Sequence, residues 1–216
     1  LNYGADPNIC NFKGDSPLIA CCQKGLNQVA TALLESGIKI DSYNKNRDSP
    51  VIVCCRTGQY RMLELILSRL EPNEVKAQLE LKASIDGFNA ILAATEQEKV
   101  ECIKMCVKYG ADIEFRTDID NPIISGATPL HLACFYGKHL SAQALVELGA
   151  DLKSVTLTTK QTPLHIAIKQ GQSSVVRYLL KHTQARECLL IKDKDEKLPS
   201  YYASMTGNEE IFEEFF

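Results

Sequence analysis

Two pairs of adjacent cysteines are the first candidates for chemistry. Cys21-Cys22 and Cys54-Cys55 lie 33 residues apart. Four thiols at matched positions are typical of zinc sites and of redox switches, because thiolates bind zinc and also form disulfides. One hypothesis is therefore a metal- or redox-sensing domain built on these four residues.

The same cysteines also fit the packed core of a helical protein. Adjacent residues on a helix point about 100° apart, so two such pairs cannot easily converge on one tetrahedral ion. Cys102 and Cys106 are four residues apart, the spacing of one apolar helix face. We favour small buried side chains, and free thiols of this kind fit a reducing intracellular compartment, the cytoplasm or the nucleus.

Two histidines are candidates for catalysis or metal binding. His131 and His165 occupy the same place in the phrases Thr-Pro-Leu-His-Leu-Ala and Thr-Pro-Leu-His-Ile-Ala, which begin 34 residues apart. No pattern of Ser, Cys or carboxylate completes a triad around them. We predict hydrogen-bonded histidines at helix starts, and a protein that is not an enzyme.

Further motifs for metals and phosphates are incomplete. The run Asp118-Ile119-Asp120 begins like a calcium loop, but Pro122 stands where the third ligand belongs. No glycine-rich phosphate loop occurs. We expect no metal, no cofactor and no small-molecule substrate.

Charge and hydropathy exclude other classes of function. The chain of 216 residues has 24 Lys and Arg against 27 Asp and Glu, divided evenly between its halves. This balance opposes nucleic-acid binding, although a local basic patch stays open. No run of about 18 apolar residues occurs, so we expect no membrane insertion.

The phrase around the histidines belongs to an internal repeat. Weaker copies make six in all, and they begin at Ser16, Ser49, Asn89, Thr128, Thr162 and Leu198. A glycine follows nine residues after each start except in the third copy, where Glu98 stands instead. Three copies also end in a further glycine, as in Gly149-Ala150-Asp151.

Each part of the phrase has a physical role in a pair of helices. Thr or Ser caps the first turn, and Pro at the next position has no N–H to leave unpaired. The glycine nine residues on allows the left-handed conformation that ends this short helix. Apolar residues such as Val175, Val176 and Leu179 then mark a second, amphipathic helix.

Two insertions lengthen the repeat period. Residues 70–89 are seven longer than their counterpart in the first copy, and 74–80 have the composition of a helix. Residues 110–128 are six longer, and 116–125 indicate a lengthened loop.

The chain resembles the ankyrin-repeat family, whose pattern is D-x-x-G-x-T-P-L-H-x-A, then glycine, then V-V, L-L and G-A-D. The resemblance implies an all-α solenoid of paired antiparallel helices with hairpin-like finger loops. It divides a single array over 1–216 into a tail of a preceding repeat with the first finger (1–15), repeat 1 (16–48), repeat 2 with its helical insertion (49–88), divergent repeat 3 with its long finger loop (89–127), repeat 4 (128–161), repeat 5 (162–197) and partial repeat 6 (198–216).

Because Tyr3-Gly4-Ala5-Asp6 matches the end of a repeat, and Ile211, Phe212, Phe215 and Phe216 match an unfinished second helix, we expect truncation at both ends.

The resemblance further implies a non-catalytic, monomeric protein-interaction module that binds a protein or peptide on its fingers and first helices. The alternative is a targeting or regulatory segment of a larger enzyme, channel or signalling protein whose activity lies outside this chain. Large aromatics at positions expected to face solvent mark binding anchors, with cations to steer an acidic partner. The partner-binding residues predicted in this way are Phe12, Lys24, Arg56, Phe88, Ile124, Phe135 and Tyr136.

Overall fold

The computed structural model describes residue 6, residues 8–118, residue 121, residues 123–183 and residues 185–215. Over those residues the regular secondary structure consists of fourteen α-helices, without a strand. The predicted all-α fold of paired helices is confirmed. No helix among the described residues has the length and apolar character needed to cross a membrane.

Twelve of the described helices follow one another as pairs of a first and a second helix. The six first helices are α1 (Pro17–Lys24), α3 (Pro50–Thr57), α6 (Ala90–Glu96), α8 (Pro129–Tyr136), α10 (Pro163–Lys169) and α13 (Pro199–Met205). The second helices are α2 (Asn27–Glu35), α4 (Tyr60–Leu67), α7 (Val100–Lys108), α9 (His139–Glu147), α11 (Ser173–Lys181) and α14 (Glu209–Glu213). Two further helices lie outside these pairs, α5 (Pro72–Glu80) after α4 and α12 (Ala185–Cys188) after α11. Residues 74–80, which the sequence predicts to be helical, lie within α5.

The helix starts follow the capping rules. The side chain of Ser16 accepts a hydrogen bond from the backbone N–H of Ile19, and Asn89 accepts one from Leu92 in the copy that lacks Thr or Ser. Such a cap is worth about 1 kcal/mol. Leu198 provides no side-chain cap, so the first helix of the sixth copy starts on Pro199 alone.

The first helix of the third copy, α6, ends without the glycine that follows the other first helices. Gly58 adopts a left-handed φ of 80° after α3, and Glu98 adopts a φ of 53° near the equivalent place after α6. A residue with a Cβ is disfavoured there by roughly 1 kcal/mol or more. The stacking of the helix pair therefore imposes a backbone conformation that Glu98 does not itself favour.

The chain forms two compact units, residues 1–111 and residues 112–216. In the first unit α3 packs between α1 and α6, α4 packs on α2 and α7, and α5 lies against α6 and α3. In the second unit α10 packs between α8 and α13, α11 contacts α9 and α14, and α12 packs on α11. Apolar side chains with no exposed surface fill both cores, among them Ile52 and Ile91 in the first unit and Leu130 and Leu145 in the second. Each such side chain contributes about 2 kcal/mol through removal from water.

The long loop before α8 is closed by polar contacts to the backbone. The Thr117 hydroxyl donates to the carbonyl of Ile124, and the guanidinium of Arg116 donates to the carbonyls of Gly126 and Val155 at 2.8 Å each. The calcium-like run is described only at Asp118, because residues 119, 120 and 122 lie outside the described residues. Residues 1–5, 7 and 216, near the two ends of the chain, also lie outside the described residues. In α14 Ile211 is buried and Phe212 is 46% exposed.

Candidate partner-binding surface

The finger loops are joined edge to edge within each unit. The backbone N–H of Lys45 donates to the carbonyl of Lys13 at 3.2 Å, and that of Lys194 donates to Thr159 at 3.0 Å. Every finger turns through a left-handed residue two positions before its helix cap, and in three fingers this residue is not glycine but Arg47, Lys160 or Glu196. Within each unit these bonds align the finger tips into a row beside the first helices, where the side chains of both can act on one ligand.

The repeated histidines hold this row in place. His131 Nδ1 lies 2.8 Å from the Thr128 hydroxyl at the start of its own helix, and Nε2 lies 3.0 Å from the Gln161 carbonyl in the next finger. Burial lowers the pKa of His131 to about 4, so the ring is neutral at pH 7. His165 makes the same contacts with Thr162 and Lys197. The prediction of hydrogen-bonded histidines at helix starts is confirmed.

Two of the seven predicted partner-binding residues do not reach the surface. The expectation that Phe88 faces solvent is wrong, because its ring is only 2% exposed. Phe88 directly precedes the cap Asn89, a position whose side chain often packs against the first turns of the helix that follows. Ile124 is 4% exposed, and its carbonyl accepts a hydrogen bond from the Thr117 hydroxyl across the loop. Neither side chain is available as an exposed anchor.

The other aromatic candidates lie at least partly at the surface. Tyr136 is 38% exposed, and Phe135 is half-buried beside it, with ring centroids 5.0 Å apart in an edge-to-face arrangement. Both are the last residues of α8. On the first finger Phe12 is 81% exposed, and the ammonium of Lys13 lies 5.8 Å from its ring centroid. Lys24 is exposed in the last turn of α1.

Arg56 is occupied by carboxylates of its own unit. Its guanidinium lies 2.7 Å from Asp86, 3.3 Å from Asp48 and 3.9 Å from Glu96. Burial disfavours the charge of Arg56, but the hydrogen bonds and attraction to Asp86 and Asp48 outweigh it and raise the pKa. Burial also raises the pKa of Asp48, with the charge of Asp86 adding to it. Three acids around one cation leave a local negative surplus, and Arg56 is thus already paired within its own unit, which the sequence pattern did not indicate.

A second group of cations and rings lies on α10, α13 and the finger between them. The ammonium of Lys169 lies 4.8 Å from the ring centroid of Tyr202, and that of Lys197 lies 4.4 Å from Tyr201. The Tyr202 hydroxyl donates to Asp193 at 2.6 Å, a bond that raises the pKa of Tyr202 in addition to burial. No sequence pattern described above predicts this group, and the one signal for it is Tyr201, which stands where the repeated phrase has histidine.

The four paired cysteines are core residues. Cys21, Cys22, Cys54 and Cys55 are all buried, which confirms the packing interpretation. Hydrogen bonds to neighbouring thiols together with burial raise the pKa of Cys55 well above its usual range. Its Sγ lies 3.6 Å from that of Cys106. Across the described parts of the chain, no group of three or more His, Cys, Asp or Glu side chains is placed to hold a metal ion.

Comparisons with known proteins agree with this architecture. The family profile described as "Ankyrin repeats (3 copies)" matches residues 1–76, 70–156 and 152–216. The chain is 21% identical to the human ASB11 ankyrin repeat domain, with a TM-score of 0.74 over 100% of this chain and 90% of that one.

Curated relatives match this chain over only part of their own length. Human transient receptor potential cation channel subfamily A member 1 is 24% identical over 96% of the chain, which spans 18% of that protein. Protein phosphatase 1 regulatory subunit 27 of Mus musculus is 41% identical over 32% of the chain and 45% of its own length. Alpha-latrotoxin-Lg1a of Latrodectus geometricus is 33% identical over 46% of the chain and 7% of its own length. The chain thus spans less than half the length of these relatives, and with the family profile matched along its length it belongs to the ankyrin-repeat family of protein-interaction modules.

Proposed function

We propose that this chain is a non-catalytic interaction module that holds a protein segment on its fingers and first helices. The observation that carries the proposal is the exposed edge of Tyr136 beside Phe135 at the end of α8. Solenoids of stacked repeats bind partners on the extended surface that their curvature creates. Aromatic side chains at such positions supply large contact area at low entropic cost.

A second candidate is a regulatory or targeting segment of a longer protein. It is supported by the small share of the cation channel and of the alpha-latrotoxin that the chain spans. One further relative is named as a phosphatase regulatory subunit. In that case the activity lies outside these residues, and the surface binds either another protein or another part of the same polypeptide.

We further propose that the module is monomeric and works in a reducing compartment inside the cell. Eight of the nine cysteines are buried and all nine are free thiols, a state that persists where thiols are kept reduced. Light scattering after gel filtration measures the mass, and a concentration-dependent dimer would contradict the monomer. The division into six repeats with the boundaries given above stays a prediction.

The test of the module is affinity capture from the source cell with matched surface variants. The chain, the double variant Phe135→Ala with Tyr136→Ala, and the control Leu140→Ala with Leu190→Ala are each immobilised. The control removes two exposed apolar side chains, at 54% and 77% exposure, from regions outside the fingers and first helices. Truncation of a central aromatic anchor costs about 2 kcal/mol or more, so the aromatic variant should lose its partners while the control retains them.

The melting temperature distinguishes a variant that has lost packing within the fold from one that has lost only a contact with the partner. Because Phe135 is half-buried, the single variant Tyr136→Ala is included, with circular dichroism on all four proteins. Equal capture by the aromatic variants and the native chain would refute the proposed face.

A further inference from the structure

The lysine–tyrosine group on α10 and α13 combines charge, aromatic surface and an open cleft. We define the lysine–tyrosine surface as Lys169, Lys197, Tyr201 and Tyr202. Among the described residues neither lysine forms an ion pair with a carboxylate, and each instead lies over a tyrosine ring. A ring face attracts an ammonium but leaves its outward N–H groups without acceptors from the protein. Both lysines are therefore held in place and can still donate to an anion.

The carboxylates nearest to this surface are already engaged, with one exception. Asp193 is 4% exposed and accepts hydrogen bonds from Tyr202 and from Gln161, which together with backbone bonds outweigh burial and lower its pKa. Glu196 pairs with Lys192 at 3.0 Å. Asp195 alone is exposed with no ion pair in this part of the structure.

The cations outnumber these acids. Five lysines stand on the two fingers and the end of α10, against three carboxylates, which leaves a surplus of two positive charges. The lysines are Lys160, Lys169, Lys192, Lys194 and Lys197. The local field therefore favours a negatively charged ligand, in contrast to the acidic surroundings of Arg56.

An open cleft beside Lys197 provides room for an apolar side chain. Its volume is about 400 Å³, and Tyr201, Leu198 and Ser204 contribute to its walls. Tyr201 is 42% exposed. An exposed ring that borders a cleft is typical of a residue that a partner covers.

We propose that an acidic protein segment docks on the lysine–tyrosine surface. Two carboxylates of the segment pair with Lys169 and Lys197, and an apolar side chain between them enters the cleft against Tyr201. This inference rests on the proposed function and adds the partner's chemistry to it. A protein is favoured over a nucleic acid because the surplus is only two charges, on a chain of net charge −3.

The probe is a library of random 16-residue peptides displayed on phage and selected on the whole immobilised chain. Enriched sequences are synthesised with a fluorescent label, and their affinities are measured by anisotropy at low and high salt. Two double variants are compared with the native chain, K169Q with K197Q and the control K39Q with K181Q. Lys39 and Lys181 are exposed and outside the surface, so the control removes the same charge elsewhere.

The expected result is a set of enriched peptides rich in Asp and Glu with one or more apolar residues. Their affinity should fall about tenfold in K169Q with K197Q and should weaken with salt, while the control stays within about twofold of the native chain. The variant Tyr201→Ala should weaken the same peptides without changing the salt dependence.

Other outcomes overturn the inference in distinguishable ways. Enrichment of neutral or basic peptides, equal loss in both lysine variants, or tighter binding of a labelled single-stranded oligonucleotide than of any peptide would each contradict the acidic segment. These results leave the interaction module intact if cellular partners are still lost from the Phe135 and Tyr136 variant. Capture that is indifferent to every finger and first-helix variant contradicts the module itself.

Discussion

The imidazole of His131 lies 3.0 Å from the backbone carbonyl of Gln161, thirty residues later in the chain. A neutral ring can donate from Nε2 to this carbonyl while Nδ1 accepts from the Thr128 hydroxyl. One side chain thus connects the start of α8 to the next finger. The row of fingers that we propose as the binding surface depends on this connection.

Because His131 is buried as a neutral ring, the folded chain should lose stability in mild acid. The folded pKa of about 4 lies below the ordinary value of 6.5, so between these pH values the unfolded chain binds a proton that the folded chain does not. Stability contributed by the neutral ring is present above pH 6.5 and is lost as the pH falls toward 4. We expect roughly 2 kcal/mol less stability from this residue at pH 5 than at pH 7. Urea unfolding of the native chain and of His131→Gln measures it, and an equal pH dependence in both would count against this account.

Replacing Arg56 should lower the stability of the fold without weakening the binding of an acidic ligand. Arg56→Gln leaves Asp48, Asp86 and Glu96 close together without their cation. Because these groups are partly exposed, solvent screens the repulsion, and we expect a loss of about 1 to 2 kcal/mol. Lys24→Gln, in the exposed last turn of α1, should stay within about 0.5 kcal/mol of the native chain. Urea midpoints compare the two, and weaker binding of acidic peptides by Arg56→Gln would contradict our assignment.

Alanine substitutions at Phe88 and Phe12 compare the loss of a buried ring with the loss of an exposed one. Phe88→Ala should destabilise the chain by about 3 to 5 kcal/mol, because the removed ring is buried and leaves a cavity. Phe12→Ala should change stability by less than about 0.5 kcal/mol, because that ring is exposed. Chemical denaturation measures both, and similar costs at the two positions would be inconsistent with the burial described here.

Because Glu98 has a left-handed backbone conformation, a glycine at this position should stabilise the folded chain. Glu98→Gly removes the strain of a Cβ at a φ of 53°, which should outweigh the added freedom of the unfolded chain and raise stability by up to about 1 kcal/mol. Gly58→Ala, at a φ of 80° after α3, is the reverse change and should lower stability by at least about 1 kcal/mol. Thermal and urea unfolding test the pair, and a destabilised Glu98→Gly would show that other contacts of this side chain dominate.

In the folded state only one cysteine should react quickly with a thiol reagent. Cys10 is exposed and the other eight are buried, so a thiol reagent at pH 8 should modify about one group quickly and the rest only on unfolding. Cys10→Ser should abolish the fast phase. Bound zinc in the purified chain, or a melting temperature lowered by a chelator, would revive the metal hypothesis for the paired cysteines.

The local chemistry of the sequence predicts the repeat and its helices. Caps, the proline after each cap and the spacing of apolar residues act within a few positions along the chain, so Thr128, Thr162 and even Asn89 mark helix starts without knowledge of the fold. Recurrence along the repeat likewise predicts a structural role, which is core packing for the paired cysteines and hydrogen bonding at helix starts for the histidines.

Only the tertiary structure decides which side chains of the surface are free to bind. Arg56 meets Asp86 thirty residues away, and Lys169 meets Tyr202 thirty-three residues away, across neighbouring repeats. Exposure of Phe88 or Ile124 likewise depends on how loops and helices pack together, which residue type alone does not specify. Charge pairing and burial act through space between adjacent repeats, whereas helix capping and periodicity act along the chain. The sequence therefore determined the architecture, and the packing of its repeats determined the chemistry of its candidate binding surface.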